Sequence, residues 1–275
     1  MTEANGFKAY DISHDVAEIY DRIETQTEDI DLLQALIGDR GPMRILEPFC
    51  GTGRILIPLA EAGHELVGLD KSTPMLTLAE RRLSKLPDAV RESVELIEFD
   101  VLADAWPTGF ELVILGANCL YELPTAESQR RCIREAAAVL RPGGFLFLDN
   151  NHMEGELDPS WREGGVRPGF PTGTCDDGTV VEGTMETVWF DAANRLARFR
   201  RTARLTPVDG EAWETEWIEQ KHPPSTDEMR EWLAESGFEI VALWGDLERS
   251  PYREDAERAV FWARLRRSAG DTLPA

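Results

Sequence analysis

Apolar residues recur at helical spacing across residues 13–37, with Val16, Ile19, Tyr20 and Ile23 on one stripe and Leu32, Leu33, Leu36 and Ile37 on another. The pattern predicts a helical lead that Gly38 and the Gly41-Pro42 pair bring to an end. The period then changes. Residues 44–47 read as a short buried strand, Gly51-Thr52-Gly53 as a turn, and 55–62 as a helix stopped by Gly63. The same order returns as a strand over 65–69, a helix over 72–85 and strands over 94–99 and 111–115. A helix over 125–140 then leads through Pro142-Gly143-Gly144 to a strand over 145–148. Strands alternating with helices predict βαβ units on a parallel sheet.

Past Asn151 the chain becomes rich in glycine and proline up to Gly178, and residues 155–178 are long for a connection, which reads as a lid or else as a disordered loop. Three alternating segments follow, 180–190, 196–206 and 211–221, joined by turn residues at 191–194 and 208–210. They predict an antiparallel meander inserted in the parallel domain. A helix over 226–236 and strands over 238–244 and 260–265 then complete the sheet as an antiparallel edge pair. The expected organisation is a helical cap at 1–40, an α/β core at 41–152, the loop and meander at 153–224, the return of the core at 225–267 and a tail at 268–275.

Composition narrows the partners. With 51 acidic against 29 basic side chains and a formal net charge of -22, the surface repels phosphate backbones and anionic membranes, so neither nucleic acid nor membrane is an expected partner. The four cysteines, Cys50, Cys119, Cys132 and Cys175, are scattered without a Cys-x-x-Cys pair, which argues against a disulfide framework and a metal site. The chain opens without a basic and apolar leader and has no apolar run near the bilayer-spanning length of about 20 residues, so a cytoplasmic location is expected.

Chemistry concentrates where the strands end. A glycine turn between a buried strand and a helix lets backbone approach a ligand, and suits several nucleotide cofactors. Asp70 ends the second strand, where a carboxylate accepts both hydroxyls of a ribose, and Asp100 closes the third, where it accepts from an adenine amino group while Val101 packs on the base. A dinucleotide dehydrogenase would want a further glycine where this chain has Leu56, which counts against that reading.

In these residues the sequence resembles the class I S-adenosylmethionine (SAM)-dependent methyltransferases. Residues 45–53, Ile-Leu-Glu-Pro-Phe-Cys-Gly-Thr-Gly, look like the family's first motif, 67–70 the second and 99–101 the third. Residues 110–114 with 118–123 resemble the fourth, and 140–144 the turn before the fifth strand. The resemblance implies a Rossmann-like, doubly wound, mostly parallel seven-stranded sheet, here with an inserted antiparallel meander, and SAM as cofactor. It implies cofactor contacts from Glu47, Cys50, Gly51, Gly53, Asp70, Lys71, Met75, Asp100, Val101 and Asn118, with Glu47 orienting the loop from beneath. At Phe49 the chain departs from the family, which carries a third glycine there, and a shifted methionine pocket is expected. Cys50 reads as a small buried filler, since no histidine or lysine stands near it in sequence to activate a thiolate.

Ligands of open α/β sheets gather at the carboxyl ends of the strands, which points to Tyr121, Asn150 and Asn151 for the acceptor and to His152 as base. Similar small-molecule methyltransferases place a tyrosine of the N-terminal helix near the methyl, a role that falls here to Tyr20, with Tyr10 behind it. Residues 118–121 only faintly echo an Asn-Pro-Pro-Tyr loop, because both prolines are missing. Arg198, Arg200 and Arg204 share one face of the meander and are expected to pair across strands with Glu182, Glu186, Glu214 and Glu216, binding of an acidic substrate being the alternative. Trp213 and Trp217 share a face and are expected to pack, a cation cage being the alternative. The insertion is similar in placement to that of amino-sugar N-methyltransferases, which favours a small amine acceptor. An O-methyltransferase and a non-catalytic SAM-binding or partner module are the alternatives, and a homodimer is a further partner to consider.

Overall fold

The computed structural model describes residues 13–38, 40–151, 157 and 161–266, and the structural statements below concern these. Two helices replace the single N-terminal lead: α1 (His14–Ile23) and α2 (Glu28–Ile37). Ser13 caps α1, its Oγ accepting from Val16 N, and the chain leaves helical geometry at Glu24 before the Thr-Gln-Thr run at 25–27, which offers no apolar stripe to hold a continuous helix against the core.

The parallel domain follows as β1 (Arg44–Pro48), α3 (Leu56–Glu61), β2 (Glu65–Asp70), α4 (Thr73–Leu83), the one-turn α5 (Asp88–Arg91), β3 (Val94–Glu98) and β4 (Phe110–Leu115). A 3-10 turn, Cys119–Glu122, leads to α6 (Ala126–Val139), which Thr125 and Ser128 cap reciprocally, and to β5 (Leu140–Asn151). The expected turn at Pro142-Gly143-Gly144 is instead absorbed into β5. The pairing with β4 slips between Phe110 and Leu112, and Gly144 lies so close to Glu111 O that a Cβ there would stand 3.1 Å from it.

The insertion contributes β6 (Arg167–Pro168), β7 (Gly173–Thr174), β8 (Val180–Asp191), β9 (Leu196–Thr206) and β10 (Trp213–Lys221). Then α7 (Thr226–Glu235), β11 (Phe238–Trp244) and β12 (Arg258–Leu265) complete the core. The main sheet has seven strands in the order β11-β12-β5-β4-β1-β2-β3, parallel except for β12, which runs antiparallel to both neighbours. The meander is a separate antiparallel sheet in the order β10-β9-β8-β6, with β7 also paired to β8.

Period-two alternation sorts the strands onto two cores. Leu46, Val67, Val113, Leu146 and Leu148 face α6 and α7, whereas Ile45, Leu66, Leu112, Ile114 and Phe147 face α2 and α3. Strand order reverses between β1 and β4, and such a switch point leaves a crevice at the carboxyl ends of the strands. Among the described residues no helix is long and apolar enough to cross a membrane.

Candidate active site

A cavity of about 630 Å³ opens at this switch point, walled by the end of β1, the end of β2 and the loops after β3 and β4. Its size and mixed lining suit a nucleoside-sized ligand. Gly51, Asp70, Lys71, Met75, Asp100, Val101, Asn118, Tyr121, Asn151 and Tyr20 all line it.

The glycine turn is built for close approach. Gly51 has φ 55°, and a Cβ placed on it would meet nothing within 4 Å, so its backbone faces open space. Gly53, also at positive φ, lies behind it against Ile57 rather than on the cavity wall. Phe49 takes the left-handed backbone conformation itself, at φ 62°, and its ring lines the cavity while packing on the core below. The bend that glycine ordinarily supplies is therefore kept by a side chain that pays a local steric cost.

Two carboxylates mark the far ends. Asp70 Oδ2 accepts from Gly51 N at 2.9 Å and Oδ1 from Ser72 N at 2.8 Å, and burial pushes its carboxyl above the usual aspartate range despite these bonds. Asp100 Oδ2 accepts from Lys71 Nζ at 2.6 Å. Burial is the largest single influence and alone would raise its pKa, but the Lys71 hydrogen bond and charge together with the backbone N–H groups of Leu102 and Ala103 outweigh it and hold the carboxyl below its ordinary range.

Glu47, Cys50 and Asn150 lie outside the lining. Glu47 is buried beneath the turn with Oε2 unpartnered, and burial, only partly offset by the nearby Arg54, raises its pKa well above normal. The Cys50 thiol is buried too and is held protonated by burial and then by the Asp70 charge. Asn150, expected to meet the acceptor, instead points into the core, where its Nδ2 faces Met229 Sδ at 3.6 Å and its Oδ1 has no partner. The reason is parity: residue 150 shares the face of Leu146 and Leu148. His152 and Tyr10 lie outside the described residues.

A second cavity, of about 640 Å³, adjoins the first between α1 and the meander. The two share Tyr20, Glu24, Tyr121, Glu122, Pro124 and Lys221. Of these, sequence reasoning found the two tyrosines and missed the charged residues. Lys221 Nζ donates to Glu122 Oε1 at 3.0 Å and stands 3.7 Å from Glu219, which in turn takes Arg201 at 2.6 Å. Burial and then the Glu24 charge push the Tyr20 hydroxyl far above its ordinary value, so it stays protonated. Tyr121 is pushed up to about 12 by burial and donates to Asn151 O. Arg258, also missed, lines the first cavity and clamps Asp149 through Nη1 at 2.6 and 2.7 Å. Nothing local in sequence signals it, because only the antiparallel pairing of β12 with β5 brings the two together.

The meander arginines pair across strands: Arg200 with Glu186 and Glu216, and Arg204 with Glu214. Trp217 packs on the small core of Ile19, Cys175, Val181, Ala203 and Leu205, whereas Trp213 remains 49% exposed, and both line the second cavity. Among the described residues no cluster of histidine, cysteine, aspartate and glutamate has the arrangement of a metal site.

Residues 45–144 match the family model described as a methyltransferase domain. Residues 45–144 form a class I SAM-dependent methyltransferase domain. The chain as a whole is 27% identical over 238 residues to the putative methyltransferase YqeM of Bacillus subtilis (strain 168), covering 84% of this chain and 87% of that protein. It is 25% identical over 219 residues to a glycine/sarcosine N-methyltransferase of Aphanothece halophytica, covering 80% of this chain and 75% of that protein. The fold is like that of the sugar N-methyltransferase KedS8 from Streptoalloteichus sp ATCC 53650, with a TM-score of 0.66 at 17% identity over 98% of this chain and 99% of that one. The methyltransferase is therefore an enzyme whose cofactor is SAM.

The donor set of the first cavity fits that cofactor. Asp70 and Asp100 are acceptors for hydroxyl and amino groups, Met75, Phe99 and Val101 form an apolar slot for a base, and Gly51 leaves backbone room.

Proposed function

We propose that the chain methylates an amine nitrogen of a small-molecule acceptor. One observation carries this reading: the cofactor cavity continues into a second cavity whose charged lining is Glu24, Glu122, Glu219, Arg201 and Lys221, three carboxylates against two cations. The ammonium form of an amine is attracted to such a chamber and an anionic acceptor is repelled. The names of the Aphanothece relative and of KedS8 point the same way.

In this reading Asp70 takes the ribose hydroxyls, Asp100 and Lys71 border the adenine edge, Met75 and Val101 hold the base, and Gly51 and Asn118 border the methionine part. When bound, SAM supplies a methyl group on a positively charged sulfur. The chain's own work is to orient the acceptor and to keep water out, which needs few reacting side chains. Tyr20 and Tyr121 remain protonated and act as hydrogen-bonding walls between the chambers, and Asn151 and Tyr121 meet the acceptor.

The test is a panel of small primary and secondary amines, each beside its hydroxyl counterpart, incubated with SAM and assayed for S-adenosylhomocysteine by chromatography. Turnover of amines in preference to their hydroxyl counterparts is expected. Turnover of hydroxyl compounds alone, or none with any acceptor, overturns the amine reading.

A further inference from the structure

Of the charged groups that face both cavities, Glu24 alone is unengaged. Lys221 is held between Glu122 and Glu219, and Glu219 also binds Arg201. By contrast, no hydrogen bond or ion pair joins the Glu24 carboxylate to another described residue. Among the described residues Glu24 is thus the one negative charge in excess in the second cavity. It is also firmly placed. It caps the C-terminus of α1, its N–H donating to Tyr20 O, and a helix C-terminus adds its own negative end to the site. The helix is gripped from both sides, by Arg82 on Asp21 at 2.5 Å from α4, and by Asp176 N on Glu18 Oε2 at 3.0 Å from the strap after β7. Apolar walls at Tyr20, Phe170 and Trp217 lower the dielectric around the acceptor and add π faces that favour a cation.

We propose that Glu24 is the residue that recognises the acceptor nitrogen and stabilises the positive charge that forms on it. This rests on the amine reading above. The ammonium form that the chamber attracts first gives one proton to water; the neutral amine that results donates one N–H to the carboxylate, which leaves its lone pair free to face the first cavity. As the nitrogen–carbon bond forms, the carbon–sulfur pair stays with sulfur, which becomes a neutral thioether, and the charge moves to nitrogen beside Glu24. The methylated ammonium then leaves. The carboxylate is therefore worth more after the charge has moved than before, which is what accelerates a transfer. Glu122 and Lys221 cannot share this role, since each is neutralised by the other.

The test does not depend on finding the natural acceptor. Protein saturated with S-adenosylhomocysteine is titrated with benzyltrimethylammonium and with its uncharged isostere neopentylbenzene, and binding is followed by ligand-observed NMR. The wild type is expected to prefer the cation by about tenfold or more, as for a charge-assisted contact, and Glu24→Gln to lose that preference. Glu24→Asp, which keeps the charge on a shorter arm, is expected to restore part of it. Equal binding of the two probes by the wild type, or an undiminished cation preference in Glu24→Gln, overturns the proposal. A thermal melt and the S-adenosylhomocysteine Kd of each variant separate this from a folding or cofactor defect. The wild type's turnover on the amine panel judges the amine reading separately. Where it turns over, Glu24→Gln is expected to lower kcat by about tenfold to a hundredfold, and His152→Ala in its place lowering kcat with Glu24→Gln unaffected also overturns the proposal.

Discussion

The backbone N–H of Gly51 donates to Asp70 Oδ2 at 2.9 Å, tying the turn after β1 to the carboxylate that ends β2. Asp70 also lines the first cavity, so in the proposed reading one carboxylate both sets the shape of the glycine turn and receives the ligand. Asp70→Asn replaces a charged acceptor by a neutral one and presents an N–H where one of the two lobes accepted. Hydrogen bonds to charged groups contribute about 1.5–3 kcal/mol, so S-adenosylhomocysteine affinity is expected to fall by about tenfold to a hundredfold in calorimetry. An affinity within twofold of wild type would remove Asp70 from the binding site.

Acid should act through the same group. Burial raises the pKa of Asp70 in the free protein, so the carboxylate takes up a proton at a pH above the ordinary aspartate range of about 4. Ligand hydroxyls need the ionised form. Affinity is therefore full at neutral pH and is lost as pH falls through the raised value, approaching tenfold per pH unit below it. Calorimetry across the acidic range should show this decline in the wild type and not in Asp70→Asn. A decline of equal size in both proteins would assign it to another group.

Much of this site is legible in sequence because it hangs on alternation and on strand ends. Ile45 and Leu46 fall on opposite faces, and Asp70 at the end of β2 and Asp100 just past the end of β3 stand at one rim of the sheet. The second cavity is not legible in the same way. Glu24, Glu122 and Lys221 come from a helix end, a 3-10 turn and a strand of the insertion, and only the docking of α1 between α4 and the meander brings them together. The strands β6 and β7, two residues each, are too short for any period to register. Asn150 shows the opposite lesson. Its parity with Leu146 and Leu148 assigns it to the core, even though it stands near the ligand-binding end of the strand.

Phe49 allows a test of stored strain. At φ 62° any side chain with a Cβ is disfavoured by roughly 1–2 kcal/mol relative to glycine. Phe49→Ala and Phe49→Gly both remove the ring from the core below and from the cavity wall, but only the second also relieves the backbone. Chemical denaturation should therefore rank Phe49→Gly about 1 kcal/mol more stable than Phe49→Ala, the reverse of the order at an ordinary strand position. The opposite ranking would mean that the turn relaxes out of the left-handed region without the ring.

The strongest structural dependence of the cofactor loop is predicted at Arg54. Its Nη1 donates to Asp29 Oδ1 at 2.8 Å and to Gln26 O at 2.6 Å, and its Nη2 to Asp29 Oδ2 at 2.6 Å, so α2 and the chain before it are pinned to the turn. The Asp29 side chain is 1% exposed and the Arg54 side chain 14%. Arg54→Ala leaves an uncompensated carboxylate in the core and also removes the charge that partly offsets the burial of Glu47. Breaking such a pair from one side costs about 3–5 kcal/mol, which denaturant unfolding would register as a large loss of midpoint. Replacing both partners, Arg54→Met with Asp29→Leu, removes the buried charge along with its counterion and should recover most of that loss. Cofactor affinity separates the two consequences. If the pair also positions the turn, the double variant should fold with near wild-type stability and still bind S-adenosylhomocysteine more weakly, whereas unchanged affinity would confine the pair to a structural role.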